Sequence, residues 1–336
     1  MNVPRTRSCL IVGGGMSGLL AGTLLQNAGF SVQILDKGRG IGGRLATRRI
    51  DAPTGKAVFD YGAQYFTARS PEFKSFTETW LKQQIILEWS RGFYRESGGF
   101  KSTQESQYRG CISNRQVAKH LAESLNVVTS VRVTCMEYRD HSWRVQTESG
   151  AQFCADILLL TAPVPQSLDL LTRSSIDLDA AVRDQLQSVR YEPCFALLAV
   201  LDSESAVPDP GGIWMDGEPL AWIADNSMKG ISPDAYAVTL HAGPQYSQER
   251  FDTDLNIIIR DMSDAARAWV GSNIIRTQLH RWKFAKPAVT FGAPCLFSDR
   301  SGPLVMAGDS FGGTRVEGAA VSGIQAAKAI LEWNAA

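Results

Sequence analysis

Between the apolar run Cys9-Leu10-Ile11-Val12 and a second one that ends at Asp36, the chain reads Gly13-Gly14-Gly15-Met16-Ser17-Gly18. A G-x-G-x-x-G pattern between a buried strand and a helix leaves few choices of fold. Gly13 permits the tight turn, Gly15 lets backbone approach a pyrophosphate, and Gly18 lets helix and strand pack closely. The unpaired N–H groups of the first helical turn, those of Met16 and Ser17 among them, add a positive dipole end for phosphate. Asp36 follows Gly18 by 18 residues, where a carboxylate can accept both hydroxyls of an adenosine ribose and repels a 2′-phosphate. The pattern predicts a strand over 8–12, a helix over 17–28 stopped by Gly29, and a strand over 31–36. This βαβ opening implies a parallel sheet with right-handed crossovers, and a dinucleotide site.

Further segments bear on which dinucleotide. After Asp36 comes Lys37-Gly38-Arg39-Gly40-Ile41-Gly42-Gly43-Arg44. It is either a loop that wraps a pyrophosphate and presents Arg44 to it, or an ordinary surface loop. Near the other end, Ala307-Gly308-Asp309 follows an apolar run. Gly308 permits close approach there, and Asp309 either accepts from a polyol such as ribityl or is a turn aspartate. Arg315-Val316-Glu317-Gly318-Ala319 then opens a helix whose dipole can stabilise negative charge at N1/C2=O of a reduced flavin.

Together these segments resemble the flavoprotein superfamily of the glutathione-reductase and amine-oxidase type. The strand end Leu160-Thr161-Ala162-Pro163 is similar to another landmark of its FAD domain. Val133 stands where the superfamily places a strand residue whose backbone meets the adenine. The resemblance implies FAD. With no cysteine between Gly308 and Gly318, the covalent cysteinyl link of some monoamine oxidases is not expected, so the cofactor is read as non-covalent. The expected fold class is α/β: a Rossmann-type FAD-binding domain of that kind over 1–68, 107–165 and 295–336. A β-sheet-plus-helices substrate domain is inserted over 69–106 and 166–294.

Within that frame, Ser70 and Pro71 predict a helix over 71–82 with Phe73, Phe76, Thr77 and Trp80 on its buried stripe. Ser113-Asn114-Arg115-Gln116 reads as a capping box that starts another helix. Strands are expected at 127–128, 131–133, 143–145, 157–161, 194–201, around Trp222, at 237–242, 278–284 and 304–307. Helices are expected over 254–270 and 316–333.

A narrower resemblance points to one branch. Asp60-Tyr61-Gly62-Ala63-Gln64-Tyr65-Phe66-Thr67, Leu240-His241-Ala242, His280-Arg281-Trp282 and Arg315–Ala319 are similar to segments of bacterial renalase-like proteins. Thr314 departs from that pattern, which has glycine there. The resemblance implies an FAD oxidase of isomeric 2- or 6-dihydronicotinamide dinucleotides that reduces O2 to hydrogen peroxide. Such a hydride transfer needs the ring held against the flavin rather than a strong base. Gly62 and Ala63 would allow close approach to the isoalloxazine. Gln64 either holds a carboxamide or bonds backbone. His241 is either a site residue or a satisfied half-buried histidine. Strand periodicity sets His280, Trp282 and Phe284 on one face and Arg281 with Lys283 on the other, so Trp282 walls the ring pocket or packs in the core. Trp222 and Asn226 are weaker candidates. The alternatives are a flavin amine oxidase and a non-catalytic FAD-binding protein.

Composition narrows the partners. Thirty-four basic and 34 acidic residues cancel, so no broad field favours nucleic acid or an acidic membrane. The six cysteines are scattered without a CxxC pair, which suits reduced thiols rather than a metal site or staples. The first residues, Met1–Arg7, run straight into the first strand without a leader-like apolar stretch, and no membrane span is expected. The expectation is a cytoplasmic enzyme.

Overall fold

The computed structural model describes residues 6–335. Residues 1–5, on which part of the leader reading rests, lie outside them, as does residue 336.

The glycine segment joins strand Ser8–Val12 to helix Met16–Asn27, and strand Ser31–Leu35 follows. Ser8–Val12 lies between Ile157–Leu160 and Ser31–Leu35, parallel to both. Asn126–Val128 extends one side of this sheet, and Leu304–Met306 then Leu296–Ser298 extend the other. Only the last pairing is antiparallel. The helix Met16–Asn27 and the final helix Arg315–Ala335 share one core with this sheet, in which Leu19, Ile34, Leu159, Ala320, Ala327 and Ile330 are buried. Phe73 and Trp80 of helix Pro71–Lys82 join the same core, and Ser70 caps that helix by accepting from the Phe73 N–H.

A second, seven-stranded sheet runs in the order Ile274–Val289, Arg190–Leu201, Ala237–Ala242, Leu220–Asp225, Gly212–Trp214, Ile86–Arg95, Gly99–Gly110. Its second strand, Arg190–Leu201, reads Cys-Phe-Ala-Leu-Leu-Ala-Val-Leu over 194–201 because both faces are covered. Phe195, Leu197, Ala199 and Leu201 pack on helix Leu255–Val270, while Leu198 and Val200 pack on Ala57 and Phe59 of a hairpin. That hairpin, Thr47–Ala52 with Gly55–Asp60, spans from the glycine-rich loops to the sheet.

Two local expectations need correction, and one hairpin was not foreseen. The strand expected from Val131 begins only at Val133, and it pairs with Ser142–Thr147. Ser113 and Gln116 form no capping box: helix Arg115–Ala122 has Asn114 at its start, without a side-chain cap. The Asn114 amide is engaged elsewhere, accepting from Gly110 N–H and donating to Ala63 O and Gln64 O. The long hairpin Ile86–Gly110 carried no signal, because the first half of its second strand, 99–104, is exposed and ends in the polar run Lys101-Ser-Thr-Gln.

Candidate active site

The two glycine-rich loops lie on each other: Gly42 N–H donates to Gly14 O at 2.8 Å. Asp36 ties them together, its carboxylate accepting from Gly14 N–H at 2.7 Å and Gly38 N–H at 2.6 Å. Each oxygen has lone pairs left over for a ligand. Thr161 closes the turn from the next strand by donating to Gly13 O at 2.9 Å. Lys37 Nζ donates to Gln166 Oε1 at 2.7 Å. Two features test whether this turn fits a pyrophosphate. A Cβ added at Gly15 would meet no atom within 4 Å, so the space above that backbone is open. The Ser17 hydroxyl, at the helix N-terminus, is buried and has no hydrogen-bond partner. An open glycine face and an orphan hydroxyl at the positive end of a helix suit an anion. Val133 opens its strand half-buried, and Ala162 O is taken by Ser167 Oγ.

Arg44 and Asp309, expected on different parts of a cofactor, are brought onto one another in a two-bonded ion pair. Arg44 Nη1 also donates to Phe284 O and Ala285 O, at 3.2 Å each. Burial works against the Arg44 charge, and the Asp309 carboxylate more than offsets it. Tyr191 donates to Asp309 at 3.2 Å, and burial together with that carboxylate pushes its hydroxyl up to about 12. Gly62 lies directly over Arg44: a Cβ there would stand 2.0 Å from Arg44 O, and Ala63 N–H donates to the same oxygen. Gly308 N–H is taken by Ser322 Oγ at 2.8 Å. In the first turn of the last helix, Val316 is buried and Ala319 half-buried, while Arg315 is exposed with φ at +81°. Glu317 accepts Arg69 N–H at 2.5 Å and Ser70 N–H at 2.7 Å, at the start of helix Pro71–Lys82.

The remaining candidates meet on one face of the second sheet. Register places His280, Ala196, His241, Trp222 and Trp214 in a single cross-strand row. Tyr61 lies against it, stacked on Trp282 at 5.3 Å and edge-on to His280 at 5.0 Å. Arg281 goes to the other face, over the Phe251 ring. Trp282 Nε1 donates to Tyr61 O at 2.9 Å, and His241 Nε2 is 3.1 Å from the same oxygen. A carbonyl only accepts, so His241 carries its proton on Nε2. Burial pushes this imidazole down to about 4, helped by the nearby Lys229 charge, so it is neutral at physiological pH. The same reasoning orients Gln64: its Nε2 donates to Asp60 O at 2.6 Å, which leaves Oε1 buried and without a partner. Gln64 therefore bonds backbone and keeps a free acceptor. Trp222 Nε1 is likewise buried without a partner, amid the rings of Tyr65, Trp89, Phe93 and Trp214. Asn226 bonds backbone and Thr239.

Beneath Gln64 is a group that sequence reasoning missed. Lys229 Nζ pairs with Asp60 Oδ2 at 2.8 Å, both side chains fully buried. The only local sign was an acidic residue inside an otherwise apolar and aromatic segment.

Residues 11–80 match the NAD(P)-binding Rossmann-like domain family, and residues 97–331 match the flavin containing amine oxidoreductase family. The chain belongs to the flavin containing amine oxidoreductases. Renalase of Mus musculus is 30% identical over 197 residues, 56% of either chain, so the match spans about half the length of that relative. Among solved structures, one assigned as a protoporphyrinogen oxidase from Exiguobacterium sp. 255-15 covers 98% of this chain and 99% of its own at 13% identity, with a TM-score of 0.76. Putrescine oxidase gives 0.72 at 14% identity over the same shares, and the CLA-producing fatty acid isomerase from P. acnes gives 0.69 at 12%. At such identities these likenesses concern the fold alone. Family and fold together make the chain a renalase-like, FAD-dependent oxidoreductase of this superfamily, and the glycine turn described above fits the pyrophosphate of that cofactor.

Proposed function

We propose that this enzyme oxidises 2- or 6-dihydronicotinamide dinucleotides to the aromatic NAD(P)+ and passes the electrons to O2. The balance is one dihydronicotinamide, one O2 and one proton to one aromatic cation and one hydrogen peroxide. FAD supplies the acceptor for the hydride. The observation that carries the reading is the Gln64 amide oxygen, buried and unpartnered beside an aromatic group whose two histidines, His241 and His280, are pushed down to about 4 by burial and are only weak bases. An acceptor in that position suits the N–H of a carboxamide. The Tyr61–Trp282 stack supplies flat surface for a ring, and neutral His241 neither demands nor removes a proton. A dihydropyridine needs nothing more, since its own nitrogen lone pair drives the hydride out. No helix among the described residues is long and apolar enough to cross a membrane, and with six free thiols we place the enzyme in the cytoplasm.

Anaerobic rapid mixing tests the assignment. A 2- or 6-dihydro isomer should bleach the oxidised flavin within seconds and 4-dihydro NAD(P)H should lag, because a displacement of about 1 Å costs on the order of a hundredfold in rate. In air, one hydrogen peroxide should form per substrate. Bleaching by a simple amine such as putrescine, with the isomers inert, would replace this reading with an amine oxidase.

A further inference from the structure

Asp60 and Gln64 are held from both sides by groups far away in the chain. Asp60 accepts from Thr47 Oγ1 at 2.6 Å and from Asn114 N–H at 3.1 Å, both on the side of the glycine loops. From the second sheet come Lys229 Nζ, at 2.8 Å to Asp60 Oδ2 and 2.6 Å to Gln64 O, and Thr239 Oγ1, at 3.1 Å to Asp60 O. Gln64 Nε2 closes the ring by donating to Asp60 O. Lys229 bridges the first and last residues of this short segment from the second sheet, as Asn114 does from the side of the glycine loops. Its ammonium is fully buried and also lies 4.9 Å over the Trp89 ring.

Two buried charges are a costly way to hold a fold, because their desolvation cancels much of their attraction, and apolar pairs of the same volume often do as well. What an ion pair adds is geometry. We propose that Lys229 is a positioning residue of the active site: by pairing with Asp60 and Gln64 O, it fixes Asp60–Gln64 against the second sheet, setting where the Gly62–Ala63 backbone and the Gln64 amide oxygen stand at the cofactor. This rests on the FAD assignment and not on the identity of the substrate. The Lys229 charge also helps keep neighbouring His241 neutral.

The test separates positioning from folding. Lys229→Met alone strands a buried carboxylate, whereas Lys229→Met with Asp60→Asn removes both charges and should recover most of the lost thermal stability. In the double variant Gln64 O still lacks its shorter bond, the one from Lys229 at 2.6 Å, and keeps only that from Asn114 Nδ2 at 3.1 Å. Hydrogen exchange across 60–66 should therefore stay faster than in the wild type, and the visible circular dichroism of the bound flavin should stay altered. Flavin reduction by 6-dihydro-NAD should stay slower by about tenfold or more, with little change in the substrate concentration at half-saturation. A double variant that regains wild-type exchange and flavin dichroism along with its stability would overturn the proposal, leaving the pair a folding device. Wild-type holoenzyme gives a check that needs no variant. The peptide covering 60–64 should exchange no faster than the sheet core at 195–201, and local opening there above an intact core would equally overturn it. Neither exchange nor dichroism requires the dihydronicotinamide reading to be correct.

Discussion

The guanidinium of Arg44 grips both carboxylate oxygens of Asp309, at 2.6 and 2.8 Å, across 265 residues of chain. The pair joins the second glycine loop to the strand end at Gly308, so it fastens two segments far apart in the sequence to each other. Asp309→Ala should leave Arg44 and the Tyr191 hydroxyl without their shared acceptor. Loss of charge-assisted hydrogen bonds is worth about 1.5–3 kcal/mol, and urea unfolding of the apoprotein should show a fall of that size. An unmoved midpoint would mean that the pair adds nothing to the fold.

Gly15 and Gly18 should fail in different ways. Gly15 has ordinary extended backbone, φ −84°, and open space where a Cβ would stand. Gly15→Leu should therefore give a stable apoprotein that emerges colourless, its side chain occupying the place of the pyrophosphate. At Gly18 a Cβ would stand 2.1 Å from Gly13 O, so Gly18→Ala should cost about 1–3 kcal/mol of stability through overpacking. Full flavin occupancy in Gly15→Leu would remove the glycine turn from the cofactor site.

Asp36→Ala should weaken FAD binding by about 1.5–3 kcal/mol, on the order of ten- to a hundredfold, read from flavin fluorescence quenching as apoprotein is titrated. Because Asp36 also holds Gly14 N–H and Gly38 N–H, the apoprotein should unfold at lower urea as well. Unchanged affinity would reduce Asp36 to a loop tether.

His241 and His280 share a pH signature. Burial pushes each down from 6.5 to about 4, with Lys229 reinforcing it for His241 and Arg48 for His280. Between those values the unfolded chain binds the protons and the folded one does not, so stability is full above about pH 6.5 and falls as pH drops toward 4. For His241 alone the loss is on the order of 3 kcal/mol. His241→Phe should flatten that part of the stability curve relative to the wild type. An equal slope in both proteins would mean that His241 is protonated in the fold. Flavin reduction should show no inflection from His241 above pH 6.

Much of the fold was legible because its signals are local. The turn at Gly13–Gly18, the cap at Ser70 and the doubly buried run 194–201 each declare themselves within a few residues. The face of strand Ile274–Val289 also followed from alternation alone, with His280 and Trp282 toward Tyr61 and Arg281 away. What stayed hidden depends on partners distant in sequence. Asp60 and Lys229 are 169 residues apart, and no spacing rule joins them. The motif at Ser113–Gln116 misled because Asn114 spends its side chain on Ala63 and Gln64 instead of on its own helix. Arg44 and Asp309 were each singled out as ligand groups, and only the fold brings them together.

The order of strands in the first sheet has a consequence for how the protein is made. Strand Ile157–Leu160 is flanked by Ser8–Val12 on one side and Leu304–Met306 on the other, and helix Arg315–Ala335 covers the helix that follows the glycine turn. Chains grow from the N-terminus, and domains tend to fold as they emerge. Here strand Ser8–Val12 and helix Met16–Asn27 must wait for Leu304–Met306 and Arg315–Ala335 before their sheet and core are complete. The second sheet, whose strands fall between, can assemble earlier and serve as the platform on which the two ends meet. The core beneath the glycine turn is therefore complete only once helix Arg315–Ala335 has been made and packed.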